Sequence, residues 1–204
     1  MLRGVPASSR LSFRVFRNGT PLGTHEVSFR RDGETTIADI AIDYLVKFSF
    51  VTMFRYRLRA REIWSGRRLV SVRANTDNNG KPDFMNADRD GDALHVKGSR
   101  VRPYRAPDGA MASTHWNIGQ LDTPMINPQD GTLMQLRVVP QGESSISDTA
   151  GRTRPARHFS LLGSTPFELW YDADDTWAAL RARVEDGSVI TYVRESQDVP
   201  GKLK

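Results

Sequence analysis

The chain has no cysteine among its 204 residues, which removes a disulfide scaffold, a thiolate metal site and a thiol nucleophile together. No apolar run approaches the roughly 20 residues that a membrane-spanning helix needs, and mean hydropathy is −0.50. No segment recurs at a spacing of about 20–50 residues, so propellers and solenoids are not expected. Convincing helical periodicity is missing as well. Charge of one sign does not dominate, because 29 Lys and Arg stand against 24 Asp and Glu for a net +5. The arginines alternate with apolar residues instead of clustering with aromatics, so a nucleic-acid platform is not indicated. No apolar stretch near Met1 could serve as a signal sequence. The expected location is therefore periplasmic or secreted if a leader was removed, and otherwise cytoplasmic.

What the chain does have is alternation. From Phe54 to Trp64, Arg55, Arg57, Arg59 and Arg61 fall on one face, while Phe54, Tyr56, Leu58, Ala60, Glu62 and Trp64 fall on the other. That is a long amphipathic β-strand of an antiparallel sheet wetted on one side, and Glu62 is a carboxylate on its apolar face. Turn pairs recur at Asn18-Gly19, Asp32-Gly33, Ser65-Gly66, Asn79-Gly80, Asp90-Gly91, Asp130-Gly131, Ala150-Gly151 and Asp186-Gly187, the punctuation of a hairpin meander. Strands are expected at 11–17, 23–30, 35–46, 52–64, 68–78, 82–87, 92–98, 132–140, 154–162, 166–171, 176–184 and 188–194. Residues 99–131 break the rhythm with Pro103, Pro107, Pro124 and Pro128, and read as one long irregular loop.

The expected fold is all-β: one domain over 11–196, a strongly curved antiparallel meander forming a half-barrel or barrel with its apolar face concave. Residues 1–10 are expected to form a disordered N-terminal segment and 197–204 a flexible tail.

Five stretches together resemble an uncharacterised family of exported, mostly proteobacterial proteins known as a domain of unknown function. They are Phe16 through His25, Tyr56 through Trp64, Thr76-Asp77-Asn78-Asn79-Gly80, Thr114-His115-Trp116-Asn117, and Phe167-Glu168-Leu169-Trp170-Tyr171-Asp172. The resemblance spans residues 11–194. The family is similar in pattern to periplasmic half-barrels of the lipoprotein-carrier type, which implies a concave sheet able to hold acyl chains. The similarity is one of architecture and says little about ligand. The chain departs from the family's pattern in showing no export signal.

Candidate functional residues follow from burial and loop placement. His25 shares a face with Val27 and Phe29, so its imidazole should point inward, as either a core histidine or an acid, base or ligand. Glu62, beside Tyr56 and Trp64, could carry a raised pKa suited to proton transfer, or pair with an arginine. Thr114-His115-Trp116-Asn117 sits inside the long loop, where Trp116 is expected either to cover the open end of the sheet or to plug it. No partner serine, metal-ligand repeat or glycine-rich phosphate loop lies nearby. Trp170 and Tyr171 should point to opposite faces, Tyr171 with Phe167 and Leu169, so that one aromatic packs inside and the other lies under a loop.

No metal and no cofactor are implied. His25, His95, His115 and His158 lack ligand spacing, and His95 is expected on the exposed face. Asn86, Asp88, Asp90 and Gly91 imitate the head of a calcium loop, but Lys97 stands where the closing glutamate belongs, and a hairpin turn accounts for them. Asp172, Asp174 and Asp175 read as a turn with weak potential for a surface cation.

The first functional expectation is a periplasmic carrier holding a hydrophobic or amphipathic small molecule, with Tyr56, Glu62, Trp64, Thr114, His115, Trp116, Asn117 and Tyr171 around it. The second is a cofactor-free enzyme of proton-transfer, lyase, isomerase or hydrolase type, using His115 with Glu62 or His25. The third is an envelope interaction module in which Arg55, Arg57, Arg59 and Arg61 make weak contact with an anionic surface.

Overall fold

The computed structural model describes residues 2–48 and 51–195, and the tail expected at 197–204 lies outside them. Eight strands run in sequence first: β1 Arg10–Arg17, β2 Thr20–Asp32, β3 Thr35–Phe48, β4 Val51–Ser65, β5 Arg68–Asn78, β6 Lys81–Asp90, β7 Ala93–Gly98 and β8 Val101–Arg105. Then come β9 Met111–Ala112, a 3₁₀ turn at Ile118–Asp122, β10 Met125–Ile126 and β11 Leu133–Met134. The chain finishes with β12 Leu136–Ser147, β13 Thr153–Gly163, β14 Phe167–Tyr171, β15 Trp177–Arg183 and β16 Val189–Arg194.

The long strands make one 13-stranded antiparallel sheet in the order β12-β13-β14-β15-β16-β1-β2-β3-β4-β5-β6-β7-β8. Two meanders, β1–β8 and β12–β16, are thus joined where the C-terminal strand pairs with the first. The outer strands β12 and β8 do not pair with each other, so the barrel is open. Tight turns build the meander: at Asn18-Gly19 and Asn79-Gly80 both residues have positive φ (48° and 81°, 54° and 86°), as a two-residue hairpin requires.

Curvature can be read from one row of side chains. Tyr192 pairs with Val15, Val15 with Gly23 and Gly23 with Tyr44. Three strand spacings would hold those tyrosines roughly 14 Å apart on a flat sheet, yet their ring centroids are 6.5 Å apart and their hydroxyls are hydrogen-bonded. Gly23 permits the bend, since a Cβ there would sit 1.9 Å from the Asp43 carbonyl oxygen.

The concave face is the core. On β4, Leu58, Ala60, Glu62 and Trp64 are buried while Arg55, Arg57, Arg59 and Arg61 are exposed, as the alternation requires. The connection from β8 to β12 runs from one sheet edge to the other and fills part of the concavity with Ala112, Trp116, Ile118, Met125 and Ile126, all buried. It is not irregular throughout. It opens with β8, unforeseen because of Pro103, and carries the small sheet β11-β10-β9. β12 continues past Pro140 to Ser147 with a register shift between Pro140 and Gly142. Both departures have one cause: proline is tolerated on an edge strand and at a bulge, and β8 and β12 are the edges.

The N-terminal segment, expected to be disordered, instead packs. Leu2 and Val5 lie against the core, and Gly4 passes so close to the plug that a Cβ would stand 2.2 Å from the Trp116 carbonyl oxygen. Asn86, Asp88 and Asp90 belong to β6 at the hairpin into β7, with Asp88 paired to Arg73. Asp172 accepts from the amides of Asp174 and Thr176 and from Arg194, and Asp175 pairs with Arg3 and Arg157. His95 is exposed, and Trp170 stacks on His158 at 4.3 Å on the side of β14 opposite Tyr171.

Candidate functional site

Between the sheet and the plug lies a cavity of about 470 Å³, within the range of about 300–1,000 Å³ typical of small-molecule sites. Its walls are largely apolar: Ile40 and Ile42 of β3, Leu58 of β4, Leu180 of β15, Ile190 of β16 and Met134 of β11. Its polar groups sort by depth. Ser164, Thr165, Arg183 and Glu185 are exposed and ring the mouth, whereas His25, Ser113 and Thr114 are buried and belong to the floor.

His25 comes from β2, where it pairs in register with Phe13 and Ile42. It is 2% exposed, and neither ring nitrogen has a hydrogen-bond partner. Phe13, Trp177 and Tyr192 surround it at ring centroid distances of 6.3, 5.0 and 5.6 Å. Loss of hydration holds its pKa well below the usual histidine value, and nearby His115 lowers it further. His115 lines the same cavity, with its ring 5.3 Å from those of both Phe167 and Trp177. Its Nδ1 has no partner within hydrogen-bond geometry, and desolvation, opposed by Gln120, brings its pKa down to about 4. Its backbone sits at φ 70°, a left-handed conformation costly for a residue with a Cβ. The Tyr171 hydroxyl donates to its carbonyl oxygen at 2.8 Å and helps to hold that conformation.

A tyrosine group forms another polar corner. Tyr44 stacks on Tyr56 at 5.4 Å, Tyr44 and Tyr192 share a hydrogen bond, and Tyr56 donates to Gln129 Oε1 at 3.2 Å. Burial pushes all three phenols up, Tyr192 to about 12, so they stay protonated at neutral pH.

Of the residues expected at a site, Tyr56, Thr114, His115 and His25 line this cavity. Glu62, Trp64, Trp116, Asn117 and Tyr171 do not. Glu62 stands behind Thr114, accepting from Thr114 Oγ1 at 2.6 Å, Trp64 Nε1 at 2.9 Å and Trp116 Nε1 at 3.1 Å. Burial raises its pKa, and these donors oppose the rise. The His115–Glu62 pair expected for proton transfer is therefore not assembled, because the carboxylate is spent on tying the plug to β4. Trp116 is a core residue, fully buried between Phe29 at 5.1 Å and Trp64 at 5.7 Å. Asn117 caps the 3₁₀ turn by accepting from the Gly119 amide, and the Tyr171 hydroxyl also accepts from Gln120 Nε2.

Tyr44 and Tyr192 were missed in the sequence. Their inward alternation with Ile40 and Ile42, and with Ile190, was the available signal. On the convex face, Arg55 pairs with Asp77, Arg57 and Arg59 with Asp43, and Arg61 with Asp39, at 2.6–3.1 Å. The row is locally neutralised, which weakens the field an anionic surface would meet. Among the described residues no group of three or more His, Asp or Glu could hold a metal, and no helix is long and apolar enough to cross a membrane.

An open antiparallel barrel with an internal plug and an apolar cavity beside it defines the class of protein. The chain belongs to the domain of unknown function family DUF6134, whose model matches residues 13–195. Its fold is similar to that of a crystal structure described as a beta-barrel-like protein of domain of unknown function DUF1849 from Brucella abortus. That match has a TM-score of 0.64 and 10% identity, and covers 95% of this chain and 97% of the other. No curated protein matches.

Proposed function

We propose that this protein is a binding or carrier protein that holds a hydrophobic or amphipathic small molecule in the cavity between the curved sheet and its plug. The observation that carries the reading is the cavity itself: about 470 Å³ with aliphatic walls and a few convergent polar groups. The open barrel is compatible with such a role without requiring it. A periplasmic location is part of the proposal and rests on the resemblance to exported proteins. A docking role for the arginine face has less behind it, given the aspartates paired along that row.

The test is binding of an uncharged apolar fluorophore, N-phenyl-1-naphthylamine, to the wild type and to Ala182→Trp. Ala182 lines the cavity and is only partly buried, so an indole there fills the binding volume. Binding by the wild type and its loss in a folded Ala182→Trp variant supports the carrier reading. Equal binding by both overturns it.

A further inference from the structure

The polar groups of the cavity prescribe which end of a ligand goes in first. An acyl chain entering tail first would lay methylenes against the floor. The floor, however, is lined by His25, neither of whose ring nitrogens has a hydrogen-bond partner, and by His115 beside it. Buried polar atoms in native proteins nearly always have partners, so a floor built this way calls for a ligand that supplies them. An alkyl terminus would leave them orphaned.

The same surroundings select the head group by charge. Phe13, Trp177 and Tyr192 enclose His25, and Phe167 and Trp177 flank His115. Glu62, the nearby buried carboxylate, already accepts three hydrogen bonds behind Thr114. The exposed charges of the lining, Arg183 and Glu185, lie at the mouth and are opposite in sign. An ammonium carried to the floor would be desolvated with no counter-ion, and a carboxylate would gain one only by protonating an imidazole that burial keeps neutral, a cost that few hydrogen bonds offset. Both imidazoles are neutral at pH 7 because burial depresses their pKa values. Each neutral ring offers one donor and one acceptor, and a hydroxyl is the small uncharged group that can satisfy either.

We infer, building on the carrier reading, that the cavity selects an uncharged, hydroxyl-bearing amphiphile that binds head first, its hydroxyl between His25 and His115 and its apolar body along Ile40, Ile42, Leu180 and Ile190 towards the mouth.

The experiment displaces N-phenyl-1-naphthylamine from the full chain with 1-decanol, decanoate and decyltrimethylammonium, which share one tail and differ in the head. The alcohol should compete about tenfold better than either ion, the effect of one or two added neutral hydrogen bonds together with the avoided burial of a charge. His25→Phe, which keeps an aromatic ring in an aromatic box, should erase most of that advantage while still binding the fluorophore. Because the variant could disturb packing, wild-type imidazole ¹⁵N resonances give a second readout: 1-decanol should shift those of His25 and His115, and the ions should not.

Equal competition by the three compounds, a preference for either ion, or an alcohol advantage unchanged in folded His25→Phe overturns the head-first inference while leaving the carrier reading in place. Failure of the fluorophore to bind the wild type, or its full binding to Ala182→Trp, overturns the carrier reading and this inference with it.

Discussion

Replacing Trp116 by alanine separates a lid from a keystone. The indole is fully buried, meets Phe29 and Trp64 edge to face and donates to Glu62 Oε2 at 3.1 Å. Truncation of a buried tryptophan costs about 3–5 kcal/mol. For a domain of this size that is a fall in melting temperature of roughly 6–20 °C, at about 2–4 °C per kcal/mol. Trp116→Phe keeps a ring against Phe29 and Trp64 but removes the donor. It should cost about 1.5–3 kcal/mol, the range for a hydrogen bond to a charged group. Glu62 still accepts from Trp64 and Thr114 in both variants. Thermal unfolding by circular dichroism measures the loss, and fluorophore titration corrected for the folded fraction measures binding. Since Trp116 does not line the cavity, affinity per folded molecule should stay within about twofold, well under 1 kcal/mol. A Trp116→Ala protein that melts like the wild type yet binds the fluorophore tenfold more weakly would refute the reasoning and restore Trp116 as a ligand contact.

Acidification should destabilise the protein through its buried imidazoles. The folded pKa of His115 lies at about 4 against 6.5 in the unfolded chain, so its contribution is full above pH 6.5 and is lost as pH falls towards 4, up to about 3 kcal/mol. Denaturation midpoints measured from pH 7 to pH 4 should fall less steeply in His115→Asn, in which asparagine tolerates the positive φ. Glu62 has the opposite sign, because its raised pKa favours the fold at low pH and the contribution fades as pH rises through the folded value. Glu62→Leu should nevertheless destabilise by more than about 3 kcal/mol in urea titrations, since it strands the Thr114, Trp64 and Trp116 donors at once. Leu58→Asp places a charge at a position 2% exposed and should lower the denaturation midpoint severely, whereas Arg57→Asp should cost less than about 1 kcal/mol because Asp43 retains Arg59. Gly23→Ala should cost about 1–3 kcal/mol by melting, as its Cβ meets backbone that cannot move without flattening the bend.

How much of this was legible in the sequence depended on which interactions set each feature. The faces of β2 and β4 were legible because a period of two is a property of the backbone, so Leu58, His25 and Glu62 turned inward as read. The hairpins were legible for the same local reason, since Asn18-Gly19 and Asn79-Gly80 encode their own turns. The edge strands were not, because Pro103 and Pro140 carry opposite meanings in a sheet centre and at its border, and position in the sheet is settled by pairings remote in sequence.

The site divides along the same line. His25 and His115 could each be suspected alone, one from alternation and one from its place in a loop, but their meeting beside Trp177 depends on β15 lying two strands from β1 and on a plug that crosses from one edge of the sheet to the other. Glu62 shows the converse: burial beside tryptophans is also what an acid-base catalyst needs, and sequence carries no sign of whether the neighbouring donors will use up the carboxylate. Three do. The residue that looked most like chemistry thus fixes the plug to the sheet, and the plug in turn holds His115 in a left-handed conformation facing the cavity. On the carrier proposal, substitutions of Glu62, Trp64 and Trp116 should therefore act on stability, while substitutions at His25 act on the choice of ligand.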